Sequence, residues 1–409
     1  MAEPDDGREL DLVLLGATGF VGRLTAAHLA RSAPPGTRIG LAGRSADRLG
    51  TLRDGLGEAA AAWELRTTDV TDRAALDRLV AQTRVLATTV GPYARSGLPV
   101  VEACAVRGTH YADLSGETLF VRDSIAAAHA TAARSGARIV HSCGFDSVPS
   151  DLGVALVAER AAADGEGTPG ETTLHVRTMR GGLSGGTVDS LRQMLVDVQG
   201  RPERRRLLAD PEALTGGTAS GRSRRGHATI GRDAASGRWT APFVMSPYNR
   251  QVVLRTDALR EGAYGPTFDY REVVDTVRGP VGAAAALVLA GVQGALVGSL
   301  ANPVTRPVAD RVLPDPGEGP SERQRRRGRF GVEVLTTTTT GARYAATVAA
   351  PYDPGYEGTA VLFGESALAL ALDPLPEAAG VLTPMTGIGT GLADRLRAHR
   401  VEVGVERLS

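Results

Sequence analysis

Short apolar runs alternate with amphipathic stretches through the first third of the chain. Six of these runs, Asp11–Leu15, Arg38–Ala42, Trp63–Thr67, Val85–Val90, His110–Asp113 and Arg138–Ser142, have the length and apolar content of buried strands, and helix-like segments separate them. That rhythm predicts an α/β fold with a Rossmann-type, doubly wound parallel sheet. After Asp151 the pattern changes. Glu171–Met179, Gly331–Thr340 and Arg343–Ala350 read as longer alternating strands, the last two joined through Gly341 as a hairpin. They predict a second, mixed α+β domain. The expected domains are therefore 1–150 and 151–409, with the last ~30 residues a candidate to pack back on the first. The Gly/Ser/Arg-rich stretches Thr215–Gly226 and Asp315–Gly328 read as surface loops, and no internal repeat is visible.

One run follows neither period. From Gly279 to Thr305 no residue is charged, and Val281–Ala301 is Ala, Val, Leu and Gly throughout apart from Gln293 and Ser299. Its length suffices to cross a bilayer. It is nevertheless poor in Leu, Ile and Phe, and no second span accompanies it. Three readings stay open: a core helix, a true span, and a shallow membrane contact in which Arg278, Arg306 and Arg311 meet anionic lipid.

Composition narrows the function. A chain of 409 residues exceeds one ordinary core. Its 46 basic and 46 acidic residues cancel, so no overall field favours nucleic acid. The clusters Arg204-Arg205-Arg206, Arg222–Arg225 and Arg325-Arg326-Arg327 have no interleaved aromatic residue to stack bases and read as solvated faces. Every basic residue is arginine, which excludes a Schiff-base lysine and a P-loop lysine. With only Cys104 and Cys143, and no basic-then-apolar export signal at the start, the expectation is a cytoplasmic protein with reduced thiols and no metal. Association with the inner face of the plasma membrane is the alternative.

The chemistry begins where the first strand ends. Leu12-Val13-Leu14-Leu15 runs into Gly16-Ala17-Thr18-Gly19-Phe20-Val21-Gly22 and then into a helix-like segment. In that setting Gly16 permits a tight turn, Gly19 admits a pyrophosphate to the backbone, and Gly22 lets helix and strand pack closely. The second strand ends at Arg44-Ser45, a guanidinium and a hydroxyl where an NAD site usually carries an acid; this points to the 2′-phosphate of NADP(H). Asp69-Val70 ends the third strand, where the carboxylate either accepts from the adenine amino group or caps the next helix. Gly91-Pro92-Tyr93 follows the fourth strand, at the crevice where the nicotinamide half lies in this topology. There Gly91 leaves room, Pro92 stiffens the turn, and Tyr93 either projects to the cofactor or packs inward.

These residues, with Gly91–Gly97, Val101–Ala105, Gly108–Glu117, Cys143–Asp151, Gly317–Glu322, Thr336–Tyr344 and Gly380–Pro384, resemble the saccharopine dehydrogenase-like oxidoreductases. The similarity covers nearly the whole chain and is narrower than that family: it is to the trans-acting enoyl reductase branch. The resemblance implies an NADPH-dependent reductase that acts on lipid, polyketide or glycolipid intermediates in place of a domain a partner synthase lacks. Enoyl reduction needs a hydride for the β-carbon, donors for the developing enolate oxygen, and a proton for the α-carbon.

Tyr93 is the first candidate for donor or acid. Asp146 and Ser147, after the sixth strand, could bond the substrate or the carboxamide, or form an Asx turn capping the next helix. Cys143 reads as a small buried residue rather than a nucleophile. Glu117 is either part of the site or a first-turn helix charge. Arg180–Thr187 either cradles a phosphate, such as that of a phosphopantetheine arm, or is a connector. Two rivals remain: a saccharopine-type amino acid dehydrogenase, and a scaffold that binds NADP(H) without turning it over. The oligomeric state, a homo-oligomer included, stays open.

Overall fold

Leu12, Val13, Leu14 and Leu15 are all buried, as a strand covered on both faces requires. The computed structural model describes residues 7–181, 185–215, 230–233, 236–302, 304–313, 321–325 and 327–409. In chain order, β1 (Leu10–Leu15), β2 (Ile39–Gly43), β3 (Glu64–Thr67), β4 (Thr83–Thr88), β5 (His110–Ala112) and β6 (Arg138–Val140) belong to a first sheet. β7 (Pro169–Arg180), β8 (Gly231–Arg232), β9 (Arg238–Pro242), β10 (Asp269–Arg278), β11 (Arg329–Thr338) and β12 (Arg343–Ala350) belong to a second. β13 (Gly380–Leu382) returns to the first sheet and β14 (Glu402–Arg407) to the second.

The first sheet is parallel throughout, in the order β13-β6-β5-β4-β1-β2-β3. The direction of winding reverses between β1 and β4, which pair with Leu15 opposite Thr88. That reversal opens a crevice at the carboxyl ends of these two strands. The second sheet, ordered β14-β12-β11-β7-β10-β9-β8, is antiparallel except where β7 and β10 run together. Gly341, at φ +93°, closes the β11–β12 hairpin.

Two compact units result, and their limits differ from 1–150 and 151–409. The first unit comprises 1–148 and 356–395; the second comprises 149–355 and 396–409. The returning piece is therefore longer than the last thirty residues and stops short of the C-terminus, because β14 completes the edge of the second sheet beside β12. Within the first unit, helix Thr359–Leu372 is buried along its length and packs on helix Phe20–Ser32. Gly364 makes room there for the His28 ring, and His28 Nε2 lies 2.7 Å from Glu365 Oε1. Arg395 reaches the same Glu365 at 3.3 Å and also holds Asp373.

Within the second unit the run Gly279–Ala301 forms one helix, and the core-helix reading fails. Only Gly282, Ala286 and Leu300 are buried in it, since just one side meets β9 and β10. Helix Ser246–Leu259 is the reverse case: Asn249, Gln251, Arg255, Thr256 and Asp257 are polar yet buried. Glu272 lies near them and accepts from Ser150 Oγ at 2.7 Å, Tyr270 Oη at 2.7 Å and Asn249 Nδ2 at 3.0 Å.

Replacing Glu365 by alanine leaves the buried His28 and the half-buried Arg395 short of an acceptor. The variant should lose about 3 kcal/mol of unfolding free energy, seen as a lower urea midpoint at unchanged slope.

Candidate functional site

The glycine turn after β1 is shaped by close approach. Gly16 sits at φ +85°, and a Cβ there would lie 2.8 Å from Val90 Cγ2 and 2.9 Å from Thr89 Oγ1. At Gly22 a Cβ would lie 2.2 Å from the Gly16 carbonyl oxygen, so helix and turn touch backbone to backbone. Gly19 caps helix Phe20–Ser32 without any side-chain hydrogen bond, and the first turn carries no acid. The helix therefore presents unsatisfied N–H groups and its positive end. Ala17 is buried, Thr18 and Val21 are half-buried, and the Phe20 ring meets the Tyr356 ring edge-on at 4.7 Å. Phe20 thus offers a ligand its backbone N–H, while its side chain packs against the returning segment.

Three exposed guanidiniums surround this turn. Arg23 and Arg48 both donate to the Thr18 carbonyl, at 2.9 and 3.3 Å, and Arg44 stands exposed at the end of β2. Ser45 caps helix Ala46–Gly55 by accepting from Arg48 N at 3.4 Å. Arg48 escaped the sequence reading although it lies one helical turn beyond Ser45. Asp69 does not cap the next helix, since Asp72 does that by accepting from Ala74 N and Ala75 N. Asp69 instead accepts from Thr71 N and Thr71 Oγ1, at 2.9 and 2.7 Å; these bonds, with Arg44 nearby, hold its carboxyl below the ordinary range. Val70 beside it is half-buried.

At the end of β4, Gly91 and Pro92 are joined by a cis peptide bond and lead into helix Tyr93–Arg107. Gly91 is exposed, and a Cβ there would find nothing nearer than 3.8 Å. The fold itself does not require a glycine at this point. Tyr93 is a correction: its side chain points into the first unit rather than toward a ligand. Its hydroxyl donates to the Thr88 carbonyl and accepts from Leu114 N, both at 3.2 Å, and its ring stacks on Phe120. Burial, reinforced by the charge of Asp113, pushes the phenol far above its ordinary value. A proton held this firmly is not available to a substrate.

Two buried carboxylates organise the loops at this edge, and neither role was visible in sequence. Glu117 accepts from Tyr93 N at 3.1 Å and Ala94 N at 2.8 Å, and so caps helix Tyr93–Arg107 from across the sheet edge. Asp113 accepts from Ser115 N and Ser142 N with one oxygen, both at 3.0 Å. Its other oxygen accepts from Tyr111 Oη at 2.9 Å and from His141 Nδ1 at 2.7 Å. His141 Nε2 in turn meets Ser124 Oγ at 2.8 Å. The Ser124–His141–Asp113 order is that of a nucleophile relay, but all three are buried and the arrangement is structural.

After β6 the chain turns sharply at Ser142, at φ +66°, held by Asp113 and by its own hydroxyl on the Ser115 carbonyl. Cys143 is buried, with Sγ toward the Val140 carbonyl. Gly144 takes the backbone past Leu114 and Thr359, and Phe145 N donates to Thr359 Oγ1 at 3.3 Å. Ser147 is buried in the first bend of the following helix, its N–H on the Gly144 carbonyl, which removes it as a ligand to substrate. Asp146 differs from all its neighbours. It is half-buried, no hydrogen bond or ion pair engages it among the described residues, and burial pushes its carboxyl up to about 6. Arg180 and Gly181 end β7, but residues 182–184 of the proposed phosphate cradle lie outside the described residues, as do 216–229 and 314–320 of the two surface loops and Arg326.

These residues fit a dinucleotide. A closed glycine turn, a helix end without a side-chain cap or acid, exposed arginines after β2, and a glycine after β4 that the fold leaves open all lie at one edge of the sheet. The comparisons agree. Residues 12–140 match the saccharopine dehydrogenase NADP binding domain family. A Mycobacterium tuberculosis relative is 45% identical over 419 residues, covering 98% of this chain and 99% of that one. The trans-acting enoyl reductase of Mycobacterium ulcerans is 44% identical over 417 residues, again covering 98% of this chain and 99% of the relative. Among solved structures, apo saccharopine dehydrogenase (L-Glu forming) from Saccharomyces cerevisiae superimposes with a TM-score of 0.54 at 15% identity, covering 97% of this chain and 99% of that one. At that identity the likeness is one of fold.

A pair of glycine variants separates fold from ligand. Gly22→Ala should lower both melting temperature and NADPH affinity, whereas Gly91→Ala should melt with the native protein and still bind NADPH at least tenfold more weakly by calorimetry. Arg44→Ala with Arg48→Ala should cost NADPH about 2 kcal/mol and leave NADH affinity unchanged.

Proposed function

Because the chain belongs to the trans-acting enoyl reductases, on a saccharopine dehydrogenase-type NADP-binding domain, we propose that it reduces the C=C bond of an α,β-unsaturated acyl thioester in lipid or polyketide assembly. The reductant in this reading is NADPH, which supplies a hydride when bound. The observation that carries it is the shared edge of the first sheet, where the Gly16–Gly22 turn, Gly91 and Asp146 follow β1, β4 and β6.

Each of these groups has a distinct task. The N–H groups at the start of helix Phe20–Ser32 hold the diphosphate, with Gly16, Ala17, Thr18 and Gly19 keeping side chains out of its way. Arg44, Ser45 and Arg48 hold the 2′-phosphate, and Asp69 accepts from the adenine side. Gly91 and Pro92 border the reacting half of the cofactor. Of the three candidates, Tyr93 and Ser147 are committed inside the fold, which leaves Asp146 to hand a proton to the α-carbon. Its carboxyl is raised by burial, so about a tenth of molecules keep the acid form at pH 7. An ordinary aspartate would keep far less. A general acid of this kind contributes roughly 100- to 10,000-fold.

NADPH oxidation measured against enoyl-thioesters on pantetheine, coenzyme A and acyl carrier protein tests the reading directly. Bound NADPH with no oxidation on any carrier would refute it. In the native enzyme kcat/KM should fall as pH rises through about 6, because the proton is lost there. Asp146→Asn should lower kcat about 100-fold or more and flatten that limb. The stability sign is independent of activity. A carboxyl whose folded pKa lies above its unfolded value supports the fold below the unfolded value and loses that contribution as pH rises through about 6. Asp146→Asn should therefore melt above the native protein at pH 8.

A further inference from the structure

Helix Gly279–Ala301 is apolar on every side, yet the fold uses only one of them. On that side Gly282 sits where a Cβ would lie 1.7 Å from the Val277 carbonyl oxygen, which locks the first turn onto the end of β10. Thr276 Oγ1 donates to the Gly282 carbonyl at 2.9 Å, and Gln293 Nε2 donates to the Pro242 carbonyl at 3.0 Å. The opposite side faces solvent. Val281, Leu287, Val288 and Val292 are 72%, 61%, 66% and 60% exposed, with Ala284, Ala285, Gly291 and Ala295 exposed between them. Val304 and Val308 continue the strip past the helix end. Within the helix no polar side chain interrupts it, because Gln293 turns to Pro242 and Ser299 bonds back to the Leu296 carbonyl. Single exposed aliphatic residues are ordinary; a continuous strip along 23 residues is not.

The charges at its ends say what it fits. Arg278 precedes the helix, and Arg306 and Arg311 follow it, against Asp310 alone. Two copies pairing along this helix, side by side in either direction, would bring arginine ends together. An anionic headgroup layer would instead meet the apolar strip with its acyl chains and the arginines with its phosphates. A transmembrane pose would require the helix to leave its bonds to β9 and β10. We infer that Gly279–Ala301 is a monotopic docking helix, which lays its Val281–Val297 strip into the surface of an anionic bilayer with Arg278, Arg306 and Arg311 at headgroup level. This goes beyond the reductase reading and stands without it.

The experiment is co-sedimentation of the full chain with phosphatidylglycerol/phosphatidylcholine vesicles and with pure phosphatidylcholine vesicles. Binding should be at least tenfold stronger to the anionic vesicles. The triple variant Leu287→Glu, Val288→Glu, Val292→Glu should lose at least tenfold on them while its circular dichroism and NADPH affinity stay native. Arg278→Ala with Arg306→Ala and Arg311→Ala should erase the preference for anionic lipid. No sedimentation with either vesicle, or sedimentation indifferent to the glutamates, would overturn the proposal. So would a vesicle-free dimer that the glutamates dissolve, which would make the strip a contact between copies, or protease protection of the flanking segments on opposite sides of the vesicle, which would make it a span.

Discussion

Buried anions satisfying backbone N–H groups are the interaction on which the working edge of the first unit depends. Where parallel strands end, their loops leave the ladder and their N–H groups lose strand partners. Glu117 takes the N–H groups of Tyr93 and Ala94, and Asp113 takes those of Ser115 and Ser142. Charge-assisted bonds of this type are about twice as strong as neutral ones. Two side chains, four residues apart in sequence, thereby fix the segments that follow β4, β5 and β6. Ser142 adopts a left-handed conformation that a non-glycine residue rarely takes, and the bonds to Asp113 and Ser115 hold it there.

The same anions explain the fate of Tyr93. Its ring fills the space beneath the β4 exit, and its hydroxyl bridges the Thr88 carbonyl and Leu114 N, tying the β4 and β5 exits together. A phenolate so close to Asp113 and Glu117 would be a third negative charge in a buried space. The neutral form is enforced, and the residue serves geometry. Gly91, immediately before the proline, is the opposite case: among the described residues nothing comes nearer than 3.8 Å to where its missing side chain would begin.

Features carried by backbone sterics were legible from residue order. The Gly16–Gly22 turn could be read because the lack of a Cβ is a local property, and the structure places those glycines against Val90, Thr89 and the turn's own carbonyl. Six of the seven strands of the first sheet were legible within a residue or two, β1, β2 and β4 because they are apolar on both faces; β13, three residues long and far along the chain, was not. Direction was not legible. Whether Tyr93 faces inward is decided by Thr88, Leu114 and Phe120, which lie on other elements. β10 went unread because Glu272, on its inward face, breaks the apolar alternation; Ser150, Tyr270 and Asn249 make that exception tolerable, and none of them can be predicted as partners from spacing. For Gly279–Ala301 hydropathy could give the composition of the helix but not which side of it the sheet covers.

Asp146 stands out against this background of satisfied polar groups. Asp113 accepts four hydrogen bonds, Glu117 caps a helix, and Glu272 accepts three more in the second unit. Beside these three partnered carboxyls, Asp146 is half-buried without any partner among the described residues, at the exit of β6 and three residues beyond Cys143. Desolvation without a partner is costly for a charge and cheap for a neutral acid, so the environment shifts the balance toward the protonated form. A supporting cation would lower that value, and a set of backbone donors of the kind Asp113 enjoys would lower it further. The isolation of Asp146 is thus what keeps a fraction of the molecules protonated at this edge of the sheet near neutral pH, and a second carboxyl brought against it would raise that fraction while an arginine would empty it.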